Sequence, residues 1–231
     1  MSNGNNGLCL GLVGGLGVGA ASYYYQELAK AHSERGAVLN LVMIHADVNR
    51  VLRHAAAQET ELLAEYLSGL IGRMADAGAK VAAIPAVTAH ICEPRLREIS
   101  PLPLVSLVEE IVREVHARKL KRVALFGTRF TVETGMFGRL QDVDVIRPKP
   151  NEIDLIHETY LKIVSAGSGA EDMRQGLGHI AHELCARDGV EAVILAGTEL
   201  SLIFNPSNID FPYIDATRLH LDAIMQRVLA A

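Results

Sequence analysis

Two short segments hold most of the side chains in this sequence that are able to do chemistry. The first, Ala82-Ala83-Ile84-Pro85-Ala86-Val87-Thr88-Ala89-His90, closes on a hydroxyl and an imidazole. The second, Val193-Ile194-Leu195-Ala196-Gly197-Thr198-Glu199, closes on a hydroxyl and a carboxylate. Histidine exchanges protons near neutral pH, so His90 is a candidate general acid or base, and Glu199 is a second candidate base. Thr88 and Thr198 are too weakly acidic to act as bases alone, but their hydroxyls suit a carboxylate ligand. His90 reads equally well as a residue that orients its loop by hydrogen bonding, and Glu199 as a loop support.

Three further stretches offer anion binding. Gly14-Gly15-Leu16-Gly17 follows an apolar run and precedes a helical pattern, an arrangement that brings backbone N–H groups towards an anion. Gly15-x-Gly17-x-x-Ala20 fits a dinucleotide fingerprint only loosely. No acidic residue sits at the end of the next strand, so carboxylate binding is the better account. Asn49 and Arg50 follow that strand, and an arginine fork pairs bidentately with a carboxylate. Arg50 reads equally as a solvated residue at the start of a helix. Thr128 and Thr131 open a loop after Phe126-Gly127, where Thr131 either binds an anion, caps a helix, or does both.

These groups need strands to carry them. Apolar runs at Leu8–Val13, Val38–Ile44, Lys80–Ile84, Arg122–Gly127, Val143–Ile146, Glu191–Ala196 and Phe211–Asp215 alternate with helical patterns. The helices run from Ala20 to Glu34, Val51 to Ala77, Ser106 to Arg118, Glu152 to Val164, Glu171 to Arg187 and Thr217 to Leu229, with a short one beginning at Pro94. Gly69 and Gly72 are weak points in the second of these. Such alternation predicts α/β architecture with parallel sheets, whose ligands bind beyond the carboxyl ends of the strands. The order strand, anion loop, helix, strand, helix, strand, reactive loop occurs twice. It predicts two pseudo-symmetric Rossmann-like lobes with a ligand cleft between them. Pro101-x-Pro103 marks the boundary, giving residues 8–100 plus 212–231 as one lobe and 101–211 as the other.

Composition narrows the classes. Of 231 residues 49% are hydrophobic, with no Trp, and the net charge is −5, which leaves no basic footprint for nucleic acid. No apolar run approaches the ~18 residues of a membrane span. The polar start, residues 1–7, lacks the charged region of a secretory signal and reads as a disordered lead-in. Cys9, Cys92 and Cys185 are sparse and unpaired in spacing, which points to a reducing, cytoplasmic setting and to no metal site. All three read as core thiols.

The two chemical segments also resemble the paired active-site loops of the aspartate/glutamate racemase superfamily, patterned Cys-Asn-Thr-x-His and Gly-Cys-Thr-Glu. Thr88 and His90 match the first, Thr198 and Glu199 the second. Ala86 and Gly197 stand where that family has its two cysteines, and Val87 stands for the asparagine. The resemblance extends over about residues 8 to 229, through Tyr23-Tyr24-Tyr25, the Gly127–Phe137 loop and Asp215-Ala216-Thr217. It implies a homodimer acting on a small carboxylate or amino acid without a cofactor, one thiolate removing the α-proton and the opposite thiol returning one. A methyl group and a hydrogen cannot transfer protons, so that mechanism is excluded as written.

Three readings follow. The first places Thr88, His90 and Glu199 in altered chemistry: isomerisation or racemisation by other groups, or decarboxylation, lyase action or hydrolysis. The second is a racemase-like protein that binds an acidic metabolite without turning it over. The third is a structural or regulatory partner with a vestigial cleft. Retained binding residues (Gly15, Arg50, Thr128, Thr131 and Thr198) favour the first two, with the enzyme placed first. Asp47 and Asp215 are supporting candidates. The small residues at 86 and 197 further predict room for a substrate bulkier than aspartate.

Overall fold

The computed structural model of the chain describes residues 7–229. The lead-in therefore lies outside the described residues up to residue 6, as do residues 230 and 231. The described chain forms two compact units, crossing from the first to the second after Leu107 and returning after Arg218.

In the first unit β1 (Leu10–Gly14) leads into α1 (Val18–Glu34) and β2 (Leu41–His45). Next come α2 (Val48–Ala56), α3 (Thr60–Asp76), β3 (Val81–Ala83) and a 3₁₀ turn (Val87–Cys92). The unit continues through α4 (Glu93–Ile99) and β4 (Leu104–Val105). The strands are all parallel, in the order β2-β1-β3-β4. β1 is buried at every position, as a central strand covered on both faces must be. One core cluster packs Val13, Ala82 and Ile84 with Leu63, Leu67, Ile71 and Met74 of α3. Another packs Leu10, Leu12, Val81 and Ala83 with Tyr24 and Leu28 of α1 and the returning Leu221, Ile224 and Val228. Each fully buried leucine or isoleucine in these stripes contributes about 1.5–3 kcal/mol.

The long helical pattern from Val51 to Ala77 is two helices. Gln58 takes a left-handed φ of 55°, a conformation that no right-handed helix continues through. His54 Nδ1 lies 2.7 Å from the Glu59 carboxylate and ties the corner. Gly69 and Gly72, by contrast, sit inside an unbroken α3.

The second unit takes α5 (Leu107–Ala117) from its second residue, then β5 (Arg122–Phe126) and α6 (Arg129–Glu133). A 3₁₀ turn (Met136–Gly138), β6 (Asp144–Ile146), α7 (Pro150–Ala166) and α8 (Glu171–Asp188) follow. It closes with β7 (Ala192–Leu195), a 3₁₀ turn (Thr198–Leu202) and β8 (Tyr213–Asp215). α9 (Ala216–Leu229) carries the chain back to the first unit. The sheet is again parallel, in the order β6-β5-β7-β8, which is the first unit's order advanced by four strands. Its core gathers Phe126, Ile156, Tyr160, Ile163, Leu184, Val193, Leu200 and Phe204.

The crossing points lie later than the proline-based division at 100/101 and 211/212. The Pro103 carbonyl accepts from Ala82 N–H at 2.9 Å and β4 pairs with β3, so the proline stretch is inside the first unit. β8 pairs with β7 and belongs to the second.

Candidate functional site

The two chemical segments occupy the same place in their respective units. Ala86 and Gly197 are each the extended residue that precedes a 3₁₀ turn. Each is entered through a tight bond to the residue two back, one position apart in register: Ala86 N–H itself donates to Ile84 O, whereas Ala196, one residue before Gly197, donates to Ile194 O, both at 2.9 Å. The turns bury Val87, Ala89, His90 and Cys92 in the first unit and Thr198, Glu199, Leu200 and Ser201 in the second.

In the first unit His90 is buried, 5% exposed. Its Nδ1 lies 2.9 Å from the Ala86 carbonyl, which can only accept, so Nδ1 carries the proton. The Leu107 N–H approaches Nε2 at 3.4 Å, so both ring nitrogens have partners inside the protein. Beside it lies His220, at 6.5 Å between ring centroids. His220 Nε2–H donates to the Val105 carbonyl at 3.0 Å and Nδ1 accepts from the Tyr24 hydroxyl at 3.0 Å. Burial, helped by His90, pulls the His220 pKa down to about 3. Burial works against the Glu93 carboxylate, but His90, the Ser106 hydroxyl and Arg97 outweigh it and hold Glu93 below its ordinary range. Thr88 sits half-buried in the same turn. Burial pushes the Cys92 thiol up to about 12, so it is no nucleophile.

Gly15 follows β1, and Arg50 lies in the first turn of α2, the helix-start position that the sequence also allowed. Gly15 has φ +85°, and a Cβ there would come within 2.5 Å of the Ala46 carbonyl oxygen. The close approach of two strand-end loops, locked by Ala46 N–H to Gly14 O at 2.8 Å, is therefore what demands glycine. Asp47 caps α2, accepting from Asn49 and Arg50 N–H at 2.9 and 3.3 Å. Arg50 is exposed, its guanidinium 4.2 Å from the Tyr66 ring centroid. Tyr66 in turn accepts from Asp47 N–H at 2.7 Å. Among the described residues Arg50 has no carboxylate within ion-pair distance, so its fork is available to a ligand. A cavity of about 530 Å³ opens beside Gly14 and Gly15, walled chiefly by Val18, Ala21, Leu41 and Met43. It lies on the β2 side and is not lined by Thr88, His90 or Arg50.

In the second unit Thr128, and not Thr131, caps α6: its Oγ1 accepts from Thr131 N–H at 3.2 Å. Thr131 is buried at the third helical position, its hydroxyl 3.0 Å from that of Thr128. Arg129 N–H donates to His157 Nδ1 at 3.2 Å, so that amide too is engaged. The Arg129 side chain pairs with Asp154 at 2.6 Å and with Glu133 at 3.8 Å. Its charge is thus spent inside the protein.

The β7 end is tighter. Gly197 N–H donates to Phe126 O at 2.9 Å, pressing the loop against β5. A Cβ built on Gly197 would fall 2.7 Å from Cδ2 and 2.9 Å from Cζ of Tyr160, and closer still to Cε2. The ring therefore occupies the space a side chain at 197 needs, and the room expected there for a larger substrate does not exist. Tyr160 donates its hydroxyl to Glu199 at 2.6 Å, and Thr198 donates to the same oxygen at 3.2 Å. Burial and the adjacent Glu199 charge raise the Tyr160 pKa well above the ordinary phenol range, so it keeps its proton. Glu199 is fully buried. Asp215, raised by burial, accepts from Ser201 Oγ at 2.9 Å and Arg218 N–H at 3.1 Å, the latter holding the first turn of α9.

Two parallel four-stranded sheets of one repeated topology, with paired strand-end turns bearing Thr-x-His and Thr-Glu, define a type of protein. A model of the Asp/Glu/hydantoin racemase family matches residues 13–224. The chain belongs to this family. Among solved structures it is similar to a Yersinia pestis protein provisionally assigned as an Asp/Glu racemase, with a TM-score of 0.80 at 23% identity, covering 96% of this chain and 99% of that one. An aspartate racemase homologue from Pyrococcus horikoshii gives a TM-score of 0.76 at 19% identity, covering 96% and 99%. The aspartate racemase of Picrophilus torridus gives 0.74 at 18%, covering 96% and 94%. At these identities the likeness establishes the fold.

The residues singled out in the sequence belong to both units. Thr88, His90 and Arg50 lie in the first unit, and Thr128, Thr131, Thr198 and Glu199 in the second. Tyr160, Tyr66 and His220 escaped notice because no motif surrounds them. One signal was present: a glycine directly after a buried strand marks a place where something approaches closely. No helix among the described residues is long and apolar enough to cross a membrane. Among the same residues no group of three or more His, Cys, Asp or Glu side chains could hold a metal ion.

Proposed function

We propose that this chain is a racemase-fold protein that binds a small carboxylate, such as an amino or dicarboxylic acid, without two-sided proton transfer. One contrast carries the reading: the groups that would move protons are committed inside the protein, while Arg50 is held outward with its charge unspent. Removing an α-proton needs a base in contact with the substrate and donors at the developing enolate. His90 has both ring nitrogens engaged, and Glu199 is buried beneath Tyr160 and Thr198. Positions 86 and 197 carry no ionisable group. Arg50, braced on the Tyr66 face, keeps the planar fork that suits a carboxylate.

The test is ligand-observed NMR with amino, hydroxy and dicarboxylic acids. Line broadening is expected for at least one acid, and Arg50→Ala should weaken that binding about 10–100-fold, the worth of a charge-assisted pair. Broadening that survives Arg50→Ala unchanged would remove the basis of the proposal. Turnover of any acid would instead restore the enzyme reading.

A further inference from the structure

We infer that Tyr160 is the residue that shuts the second acid–base position of this fold, so that Gly197 and Tyr160 are a matched pair. This deepens the proposed binding function, on which it rests only for its consequence; the packing relation stands by itself.

A glycine in place of a thiol could be a simple deletion, leaving a vacancy that a cysteine would refill. The geometry here is different. The Tyr160 ring lies where the Cβ of residue 197 would be, with Cδ2 at 2.7 Å and Cζ at 2.9 Å. Real Cβ atoms are essentially never found that close to another heavy atom. The far end of a flexible side chain moves aside cheaply, but this ring is not free to do so. It is 8% exposed and packs in the cluster of Ile156, Ile163, Leu200 and Phe204. Its hydroxyl is anchored on the buried Glu199, only 2.6 Å away. Swinging the ring out would strip that carboxylate of a donor and open a void in the core. The backbone is equally fixed, since Gly197 N–H is bonded to Phe126 O and its nitrogen would lie 3.2 Å from a Cβ on Gly127. Neither partner is free to move, so no side chain, acidic, basic or thiol, fits at 197 while Tyr160 is in place. Tyr160 acts here as a specificity determinant: it decides which chemistry the loop can host.

The experiment is a double-substitution cycle on the full chain with Gly197→Ala, Tyr160→Ala and both together, followed by melting temperature. Gly197→Ala adds one methyl group and should lower Tm by about 3–10 °C. In the Tyr160→Ala background the same change should cost almost nothing or raise Tm. Gly197→Cys, alone and combined with Tyr160→Ala, extends the test to reactivity, with peptide-resolved iodoacetamide labelling. The thiol introduced at position 197 should label at least 10-fold faster once the ring is removed. Equal Tm shifts for Gly197→Ala in the two backgrounds, or fast labelling of the introduced thiol beside an intact Tyr160, would overturn the inference. Should Tyr160→Ala fail to fold, Tyr160→Val, which has no atom beyond Cγ and so lacks the Cδ2, Cε2 and Cζ that lie nearest position 197, serves in the same cycle. Acid binding by the parent protein is measured separately, so failure of the binding proposal would leave this result untouched and identifiable.

Discussion

The Nδ1–H of His90 donates to the carbonyl of Ala86 at 2.9 Å, so the first unit's candidate base is bonded to the residue that leads into its own turn. The bond spans four positions and ties His90 back to the extended residue that precedes the 3₁₀ turn. A histidine used this way shapes its loop, and that role can be measured. His90→Ala removes two hydrogen bonds and a buried ring, and should cost about 2–4 kcal/mol in urea unfolding. A loss below about 0.5 kcal/mol, the scatter of ordinary surface changes, would mean the turn does not depend on it.

Gly15 tests the close approach of the β1 and β2 loops. Gly15→Ala must hold φ +85° and place a methyl group against the Ala46 carbonyl. We expect a loss of about 2–4 kcal/mol, strain and overpacking together, read by urea unfolding. Unchanged stability would show that the loops separate easily.

His220 makes acid stability steeper. Its pKa is depressed to about 3 from the ordinary 6.5, so between these values the unfolded chain binds a proton that the folded chain refuses. Stability should therefore fall as pH drops from about 6.5, before most carboxylates titrate. His220→Gln keeps a donor and an acceptor but cannot titrate. Its unfolding midpoint should be flatter than the parent's between about pH 6.5 and 5; parallel profiles would contradict the assignment.

Glu152 works at lower pH. Its carboxylate accepts from both ends of the Arg187 guanidinium at 2.7 and 3.1 Å, which holds its pKa below the ordinary 4.5 against the effect of burial. The pair's stabilisation is present above that value and is lost as pH falls through the folded pKa. Glu152→Gln should cost about 1–2 kcal/mol at neutral pH, and the difference from the parent should shrink steadily below about pH 4.5. A difference independent of pH would assign the loss to packing.

Much of the architecture was legible because buried parallel strands leave a plain mark. Leu10–Gly14 and Ala192–Leu195 are unbroken apolar runs, and Gly167 and Gly189 close α7 and α8 in the left-handed conformation that glycine tolerates. The break at Gln58 left no mark, because Ala57-Gln58-Glu59 are all ordinary helix formers and tertiary packing imposes the turn. β4 was hidden by its two-residue length after Pro103. Among the candidate residues, Thr88, His90, Thr198 and Glu199 stood out by their spacing after a strand. Tyr160 was not, since it meets Glu199 from thirty-nine positions away and only the docking of α7 on the β7 loop brings it there. Local pattern showed which groups were present; their availability depended on packing.

The central claim is that this racemase-family chain holds a carboxylate without moving its α-proton. Proton NMR in D₂O, with an acid that broadens in the binding screen, tests it most directly. Binding is expected with the α-proton signal undiminished and no new resonances over prolonged incubation at high protein concentration. Protein-dependent loss of that signal, abolished by boiling and by Arg50→Ala, would contradict it.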